Sequence, residues 1–432
     1  MKEILKKTTI AVLTFEARVI LRKFKPKIVA VTGSVGKTCA KEAIAKTLSY
    51  SMNTRKSEKS YNSAIGVPLA IIGEKSGWQS PLKWAEIIWR GFLIWAKEKR
   101  YPNVLILELG ADRPGDIRNI LKWLKPDVGV LTALAETPAH VEFFSGPEQV
   151  YEEKSELVKS LGHEDKAVLN FDDSEIMKMI EKTDAGFLTF GMNEGADFIA
   201  SDYKIIFKKE GEREIPEGIT FKVSHGEDEI PVKIFGAFGK HNIYPALSAI
   251  AVAHIFKIKM EDAAEALSTY TPPPGRLRLI KGAKESLILD DTYNSSPKAV
   301  RAALELLKDI PAKRKIVVLG DMLELGRRTI DAHREIGFTI PEFADMLITM
   351  GPRAKFFAEA AWKKGFSKRN IFSFSNLEET LKKLEKIIGP EDLILIKGSQ
   401  SMRMEKIVEA LMSEPEHKNE LLCRQDEGWR TR

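Results

Sequence analysis

The chain has 432 residues, 44% of them hydrophobic and 30% charged. That length exceeds one ordinary core, so two or three domains are expected, and the composition excludes a disordered or fibrous chain. The net charge of +6 is small and lysines and glutamates are interspersed, which excludes a nucleic-acid footprint. Cys39 and Cys423 lie far apart and outside any metal spacing, so a reducing, cytoplasmic compartment without disulfides is expected.

Residues 1–26 open with lysines, but the apolar run Thr8 to Phe15 is short, and Glu16 and Arg18 break it off. This is no signal peptide. Ile10, Leu13, Ala17, Ile20 and Leu21 instead predict a basic amphipathic helix, suited to cover a sheet edge or lie on a membrane surface. The apolar run Ile28 to Val31 then reads as a buried strand. Gly33-Ser34-Val35-Gly36-Lys37-Thr38 comes next, and Cys39 to Ser49 is helix-forming. Strand, glycine-rich loop and helix form the context of a phosphate-binding loop. The glycines let backbone N–H groups close around phosphate oxygens, and the helix N-terminus adds its positive dipole end. Lys37 would neutralise β/γ-phosphates and the Thr38 hydroxyl would sit on Mg²⁺. Val31 stands where the commoner pattern has a glycine, so this is the short form of the motif.

Lys59 to Leu69 is a polar loop closing into an apolar run. Between Trp78 and Arg100 lie four tryptophans, Trp78, Trp84, Trp89 and Trp95, with Lys83, Arg90, Lys97 and Lys99 around them. Trp84, Ile87, Ile88, Gly91, Phe92 and Trp95 keep helical spacing. The segment suits either an interfacial helix at a membrane surface or a helix packed on the sheet, and it is too charged to span a bilayer. Strand-like runs at 103–107, 128–132, 167–170 and 187–190 then alternate with helical patterns, which predicts a doubly wound parallel sheet. Alternating runs at 203–207, 219–223 and 232–235 predict appended antiparallel strands separated by charged turns at 208–213 and 225–229. Helices are expected at 242–256 and 260–268.

Thr271-Pro272-Pro273-Pro274-Gly275 bars both helix and sheet and marks a boundary. Beyond it, strands at 287–289, 316–319, 346–348 and 393–396 alternate with helices near 298–308, 330–338, 354–363, 377–387 and 403–412. The expected division is an N-terminal helix (1–26), a central ATP-binding domain (27–271), a Rossmann-like α/β domain (272–412) and a loose polar tail (413–432). The fold class is therefore α/β.

Several residues are placed for chemistry. Glu108 ends an apolar strand, where a carboxylate must pair or bind a cation. His140 lies in a loop shortly after the next strand, and both ligation and plain solvation suit it. Ser145-Gly146-Pro147-Glu148 reads as a capping box opening a helix that carries Lys154, by composition an ordinary surface lysine. Asn242 reads as a helix N-cap after Gly239-Lys240-His241. Arg276 places a cation at the domain junction. Asp290-Asp291 at a strand end can hold a ribose hydroxyl or a cation, and Ser296-Pro297 opens the next helix.

Taken in order, these segments resemble the Mur ligase superfamily, closest to its MurF type. The resemblance rests on the phosphate loop, Asn62 to Leu69, Glu108-Leu109-Gly110-Ala111, Ala139 to Phe143, Glu153-Lys154-Ser155-Glu156 and Leu169 to Asp173. It continues through Gly239 to Asn242, Gly275-Arg276-Leu277, Asp290 to Pro297, Leu319 to Gly326 and Lys397 to Glu405. It implies an ADP-forming amide ligase in which ATP activates a carboxylate as an acyl-phosphate that an amine then attacks. It also implies small-molecule partners: a nucleotide-sugar peptide acceptor and a dipeptide or amino acid, handled by a monomer. Thr38 and Glu108 would hold one Mg²⁺ and His140 a second, with Lys154 a ligand after carbamylation. Lys37 and Arg276 would stabilise the transferring phosphoryl group, Asn242 would contact adenine, and Asp291 the ribose. Asn62 would serve the acceptor, and Asp321, Glu324, Lys397 and Ser399 the incoming amine.

Three departures bear on substrate recognition. The phosphate-loop strand begins near residue 27, so the family's N-terminal UDP-sugar domain is expected to be missing. Asn62-Ser63 replaces paired asparagines, and Thr132-Ala133-Leu134-Ala135 replaces Thr-Asn-Ile-Gly. Alternatives are a ligase of this type acting on another cell-wall or glutamyl acceptor, or a nucleotide-binding homologue without activity.

Overall fold

In the computed structural model, residues 2–58, 61–135, 141–211 and 213–430 are described. The chain opens with α1 (Lys2–Phe24), β1 (Lys27–Thr32), α2 (Lys37–Leu48), β2 (Thr54–Lys56), α3 (Gly66–Ile72) and α4 (Pro81–Lys97). It continues with β3 (Val104–Glu108), α5 (Asp116–Leu121), β4 (Val128–Leu131), α6 (Pro147–Lys159), β5 (Lys166–Asn170), α7 (Ser174–Met177) and β6 (Gly186–Gly191). Three long strands come next, β7 (Phe198–Glu210), β8 (Arg213–His225) and β9 (Asp228–Phe235), then α8 (Ile243–Ile255) and α9 (Met260–Ser268). All nine strands form one sheet in the order β2-β3-β1-β4-β5-β6-β7-β8-β9. Pairing is parallel as far as β7 and antiparallel from β7 to β9. β1, β3, β4 and β5 carry apolar runs because both faces are covered by helices.

The first two strands after β1 lie on one side of it and β4 lies on the other. The crevice at the carboxyl end of β1 is thus a topological switch point, where open α/β sheets place their ligands.

Past the proline linker come β10 (Arg278–Lys281), β11 (Leu287–Asp291), α10 (Pro297–Asp309), β12 (Arg314–Gly320), α11 (Thr329–Thr339) and β13 (Met346–Met350). The remainder is α12 (Lys355–Lys363), β14 (Ile371–Phe374), α13 (Leu377–Ile387), β15 (Asp392–Lys397), α14 (Glu405–Leu411), α15 (Lys418–Leu421) and α16 (Glu427–Arg430). Their sheet runs β10-β11-β15-β12-β13-β14, parallel except for β10.

Several expectations change. β2, β10 and β14 were not anticipated, because short edge strands such as Thr54-Arg55-Lys56 carry no period-2 apolar signal. The charged stretch 208–213, expected as a turn, is mostly strand: Lys208 pairs with Ile215, Lys209 with Glu214 and Glu210 with Arg213. An edge ladder satisfies the backbone while leaving charged side chains in water. Ser145 does not cap α6, whose N-cap is Gly146; its N–H donates instead to Gln149 Oε1 at 2.8 Å. The expected loose tail is docked. Leu422, Cys423 and Arg424 are buried, and Arg424 donates to Glu405 Oε2 at 2.9 Å and to the Tyr293 carbonyl.

α1 buries Leu13, Ala17 and Ile20 completely against α3 and α4, as its spacing predicts. Each large aliphatic side chain so buried contributes about 2 kcal/mol. Among the described residues no helix is long and apolar enough to cross a membrane. Glu16 sits in this interface 8% exposed, and its Oε2 has no hydrogen-bond partner. Gly91 of α4 permits the approach, since a Cβ there would lie 2.3 Å from that oxygen. Burial raises the Glu16 pKa from 4.5 to about 7. The folded chain therefore holds this proton more tightly than the unfolded one, and the stability this confers below the unfolded pKa fades as pH rises through about 7. Glu16→Gln should raise the melting temperature at pH 8 and flatten its decline with rising pH between those two pKa values; an unchanged profile would refute the assignment.

Candidate active site

The phosphate loop spans the turn from β1 to α2. Gly33 (φ 150°) and Gly36 (φ 85°) both have backbone conformations that favour glycine. A Cβ on Gly33 would lie 2.1 Å from Thr132 Oγ1, so the loop and the end of β4 touch backbone to side chain. Thr132 Oγ1 donates to the Val35 carbonyl at 2.6 Å. Ser34 and Val35 direct their N–H groups to the Ala133 carbonyl, at 2.6 and 3.4 Å. That leaves the anion-facing role to the first turn of α2, whose N-cap Gly36 offers no side-chain cap. Ser34 Oγ is buried without a partner, the state of a donor awaiting an oxygen ligand. Lys37 folds back, its Nζ 2.8 Å from the Gly33 carbonyl. Its pKa is lowered, chiefly by burial, with Arg276 adding to that and Glu108 opposing it.

β3 lies beside β1 with Val31 in register with Glu108, which brings the carboxylate opposite the loop. Glu108 is 1% exposed and its two oxygens are both engaged. Thr38 Oγ1 donates to Oε2 at 3.0 Å, and Asn62 Nδ2 to Oε1 at 2.9 Å. Among the described residues no three His, Cys, Asp or Glu side chains gather as a metal cage. That suits Mg²⁺, which takes one or two protein oxygens and completes its octahedron with water and phosphate. Thr38 and Glu108 fit such a group. His140 lies outside the described residues.

Lys154 on α6 is buried rather than a surface lysine, at 3% exposed. Burial first, and then the nearby Lys37, lower its pKa from 10.5 to about 7, against the pull of Asp112, Glu153 and Glu108. The preceding residue explains its placement. Glu153 accepts from the backbone N–H groups of Gly115, Ile117 and Arg118 at 2.7, 2.7 and 3.1 Å. It thereby caps α5, whose N-cap Gly115 has no side chain to do so. Nothing in the periodicity of α6 distinguishes Glu153 from a solvated glutamate.

Arg276 enters from the other side of the linker. Gly275 (φ 74°) turns the chain so tightly that a Cβ would lie 2.9 Å from the Tyr293 nitrogen. The Arg276 guanidinium lies 4.1 Å from the Tyr293 ring centroid, and its Nε is buried without a partner. Its charge acts on Lys37 and on Cys39 of α2, and it lies within electrostatic reach of Asp291 and Glu108. Tyr293, which sequence reasoning passed over, is the shelf that aims it.

Asn242 is buried and stands at the N-cap position of α8, but its side chain makes no capping bond: its Nδ2 donates to the Phe238 carbonyl at 2.6 Å and approaches His241 Nε2 at 3.0 Å. Burial holds His241 neutral, with its pKa pushed down to about 4. Asp291 and Lys397 are brought together. They face each other in the β11–β15 register, and Lys397 Nζ donates to Asp291 Oδ2 at 2.6 Å and to the Asn294 carbonyl at 2.8 Å. Asp321 spends its Oδ1 on the N–H groups of Arg353 and Ala354, at 3.0 and 2.7 Å. Ser399 Oγ accepts from the Leu323 N–H at 2.8 Å, fixing the loop that carries Glu324 at φ 65°. The two domains touch at this site, where Lys298 Nζ donates to the Leu134 carbonyl at 3.2 Å.

Two family models match this chain. A family model for the Mur ligase middle domain matches residues 93–253, and one for the Mur ligase glutamate ligase domain matches residues 275–400. The UDP-N-acetylmuramoyl-tripeptide–D-alanyl-D-alanine ligase of Bacillus subtilis is 28% identical over 94% of this chain and 80% of its own length. Its Escherichia coli counterpart is 27% identical over 89% and 76%. The crystal structure of the MurF ligase of Thermotoga maritima in complex with ADP superposes with a TM-score of 0.76 at 27% identity, covering 95% of this chain and 84% of that one.

The cap that seats Lys154 is open to test. Glu153→Ala should cost about 2 kcal/mol by leaving buried backbone donors unmet. Urea unfolding reads the loss, and a change within error would show that the three contacts are idle.

Proposed function

The chain belongs to the Mur ligase family, and from that premise we propose that it is an ADP-forming ligase adding D-alanyl-D-alanine to a UDP-N-acetylmuramoyl-tripeptide in peptidoglycan synthesis. The observation that carries the mechanism is Arg276. It reaches from the C-terminal domain toward the phosphate loop of the central domain with a buried, unpaired Nε. A cation aimed at a phosphate loop across a domain junction fits phosphoryl transfer completed by both domains.

In the proposed reaction the acceptor carboxylate attacks the γ-phosphorus of ATP, giving an acyl-phosphate and ADP. The amine nitrogen then attacks the acyl carbon, the amide forms, inorganic phosphate leaves, and the amine gives up a proton. Lys37, the α2 N-terminus and Arg276 spread the charge of the transferring group. Thr38 and Glu108 would hold Mg²⁺, which would supply positive charge to the phosphates, and His140 would serve a second ion. Asn242 is assigned to adenine and Asp291 to the ribose. Asn62 is assigned to the acceptor side, through its bond to Glu108. Asp321, Glu324, Lys397 and Ser399 are assigned to the amine side. The proposed working unit is a monomer. ATP and nucleotide-linked acceptors are cytoplasmic, and so is the proposed site of action.

Carbamylation of Lys154 joins this reading. A buried amine beside Lys37 is unfavourable as a second cation, and its neutral form can attack CO₂, lose a proton and become an anion facing the metal site.

Purified protein with ATP and Mg²⁺ should release phosphate only when acceptor and D-alanyl-D-alanine are both supplied, and Lys37→Ala should lower that rate by about a thousandfold. Turnover with no muramoyl acceptor in a panel of peptides would remove the substrate assignment. Lys154→Ala should lose activity and regain part of it with added short carboxylates. Full activity without them would end the carbamate proposal.

A further inference from the structure

α4 is apolar on two faces, and among the described residues only one of them is packed against other elements. Ile87, Gly91 and Ile94 are buried in the layer formed with α1 and α3. The opposite face is exposed. Leu82, Ala85, Trp89, Phe92 and Ala96 recur at steps of three, four, three and four, so they line one side of the helix, and all are solvent-facing. Leu82 is 83% exposed and Trp89 60%. The rings form a continuous row, with Trp89 and Phe92 centroids 5.4 Å apart and Phe92 and Trp95 5.5 Å apart. On α1, which runs alongside, Phe15 is 67% exposed.

Charge borders this face on one flank. Lys83, Arg90 and Lys97 are spaced seven apart, so they stack in a row beside the apolar stripe, with Glu86 the only carboxylate on α4. Arg90 is partly engaged, 3.4 Å from Glu98 and 4.0 Å from Glu74. The charge is also unevenly distributed along the chain. Residues 2–25 and 81–100 together hold twelve basic and four acidic residues, a net +8, whereas the whole chain is +6. Everything outside these two segments is thus slightly acidic, which revises the even spread read from composition.

We propose that the exposed face of α4, with Lys23 of α1 held against its C-terminal end, docks this enzyme on an anionic lipid bilayer. Tryptophan and phenylalanine insert at the headgroup boundary, and the lysine and arginine row pairs with lipid phosphates. The helix cannot span, so it lies in the interface plane. Charge decides among occupants. Two copies joined through this face would bring Lys83, Arg90 and Lys97 of both to one seam, while an anionic membrane complements them. The inference is independent of which acceptor the ligase uses.

The test is flotation of the intact chain with vesicles of equimolar phosphatidylglycerol and phosphatidylcholine, beside vesicles of phosphatidylcholine alone. Binding to the anionic vesicles, weakened by salt and on the neutral ones, is expected. Trp89→Ser with Phe92→Ser should reduce it about tenfold or more, and Lys83→Glu with Lys97→Glu likewise. Because these side chains are exposed, the variants should keep the parent melting temperature and its phosphate release in solution. The proposal is overturned if the intact chain stays unbound at low salt, or if it binds equally after the aromatic pair is replaced. Light scattering that finds a dimer in the parent and a monomer in the aromatic variant would also overturn it, by assigning the face to a second copy.

Discussion

Glu108 is the residue on which the arrangement of the central domain turns. A carboxylate buried at the end of an apolar strand is costly unless its oxygens are met. Here one oxygen takes the Thr38 hydroxyl and the other the Asn62 amide, while the Glu108 N–H donates to Ser57 Oγ. Those three contacts tie together the start of α2, the loop before α3 and the end of β3. A single charged group thereby sets the distance between the phosphate loop and the segment assigned to the acceptor. Replacing the Thr38 hydroxyl's partner would leave a buried polar group unmet on each side of the crevice.

The second domain is coupled to that crevice through stiff parts. Pro272, Pro273 and Pro274 limit the linker, and the left-handed conformations of Gly275 and Leu277 fix the direction in which Arg276 leaves it. Tyr293 then supports the guanidinium from below, and the docked tail holds Tyr293 through Arg424. The Asp291–Lys397 pair lies at the ends of neighbouring strands in the same region. A buried pair of this kind adds little net stability, but breaking one partner strands the other, so it fixes geometry more than it strengthens the fold. The site is thus assembled from two sheets, each contributing groups from the carboxyl ends of its strands.

The α1 and α4 layer has a different logic. Its inner face completes the cover over the sheet, and Glu16 beneath Gly91 shows that this packing tolerates an unmet carboxyl. Its outer face has no such explanation among the described residues. The concentration of positive charge in residues 2–25 and 81–100 sets it apart from the slightly acidic remainder.

The sequence by itself determined the two-domain α/β architecture, because buried strands and amphipathic helices write their burial into local periodicity. It also identified Lys37, Thr38, Glu108 and Arg276 as candidates, since glycine spacing and a charge at a strand end are local signals. Tertiary structure alone decided what each group meets. Glu153 and Lys154 look like surface residues on α6 until α5 supplies the N–H groups that the one caps and Lys37, Asp112 and Glu108 gather around the other. Asn242 has the neighbours of an N-cap, yet its amide turns to the Phe238 carbonyl. The short edge strands and the docked tail were hidden for the same reason. Their hydrogen bonds and buried contacts are made with segments distant in the chain, and no local pattern of residues records a partner that only folding brings near.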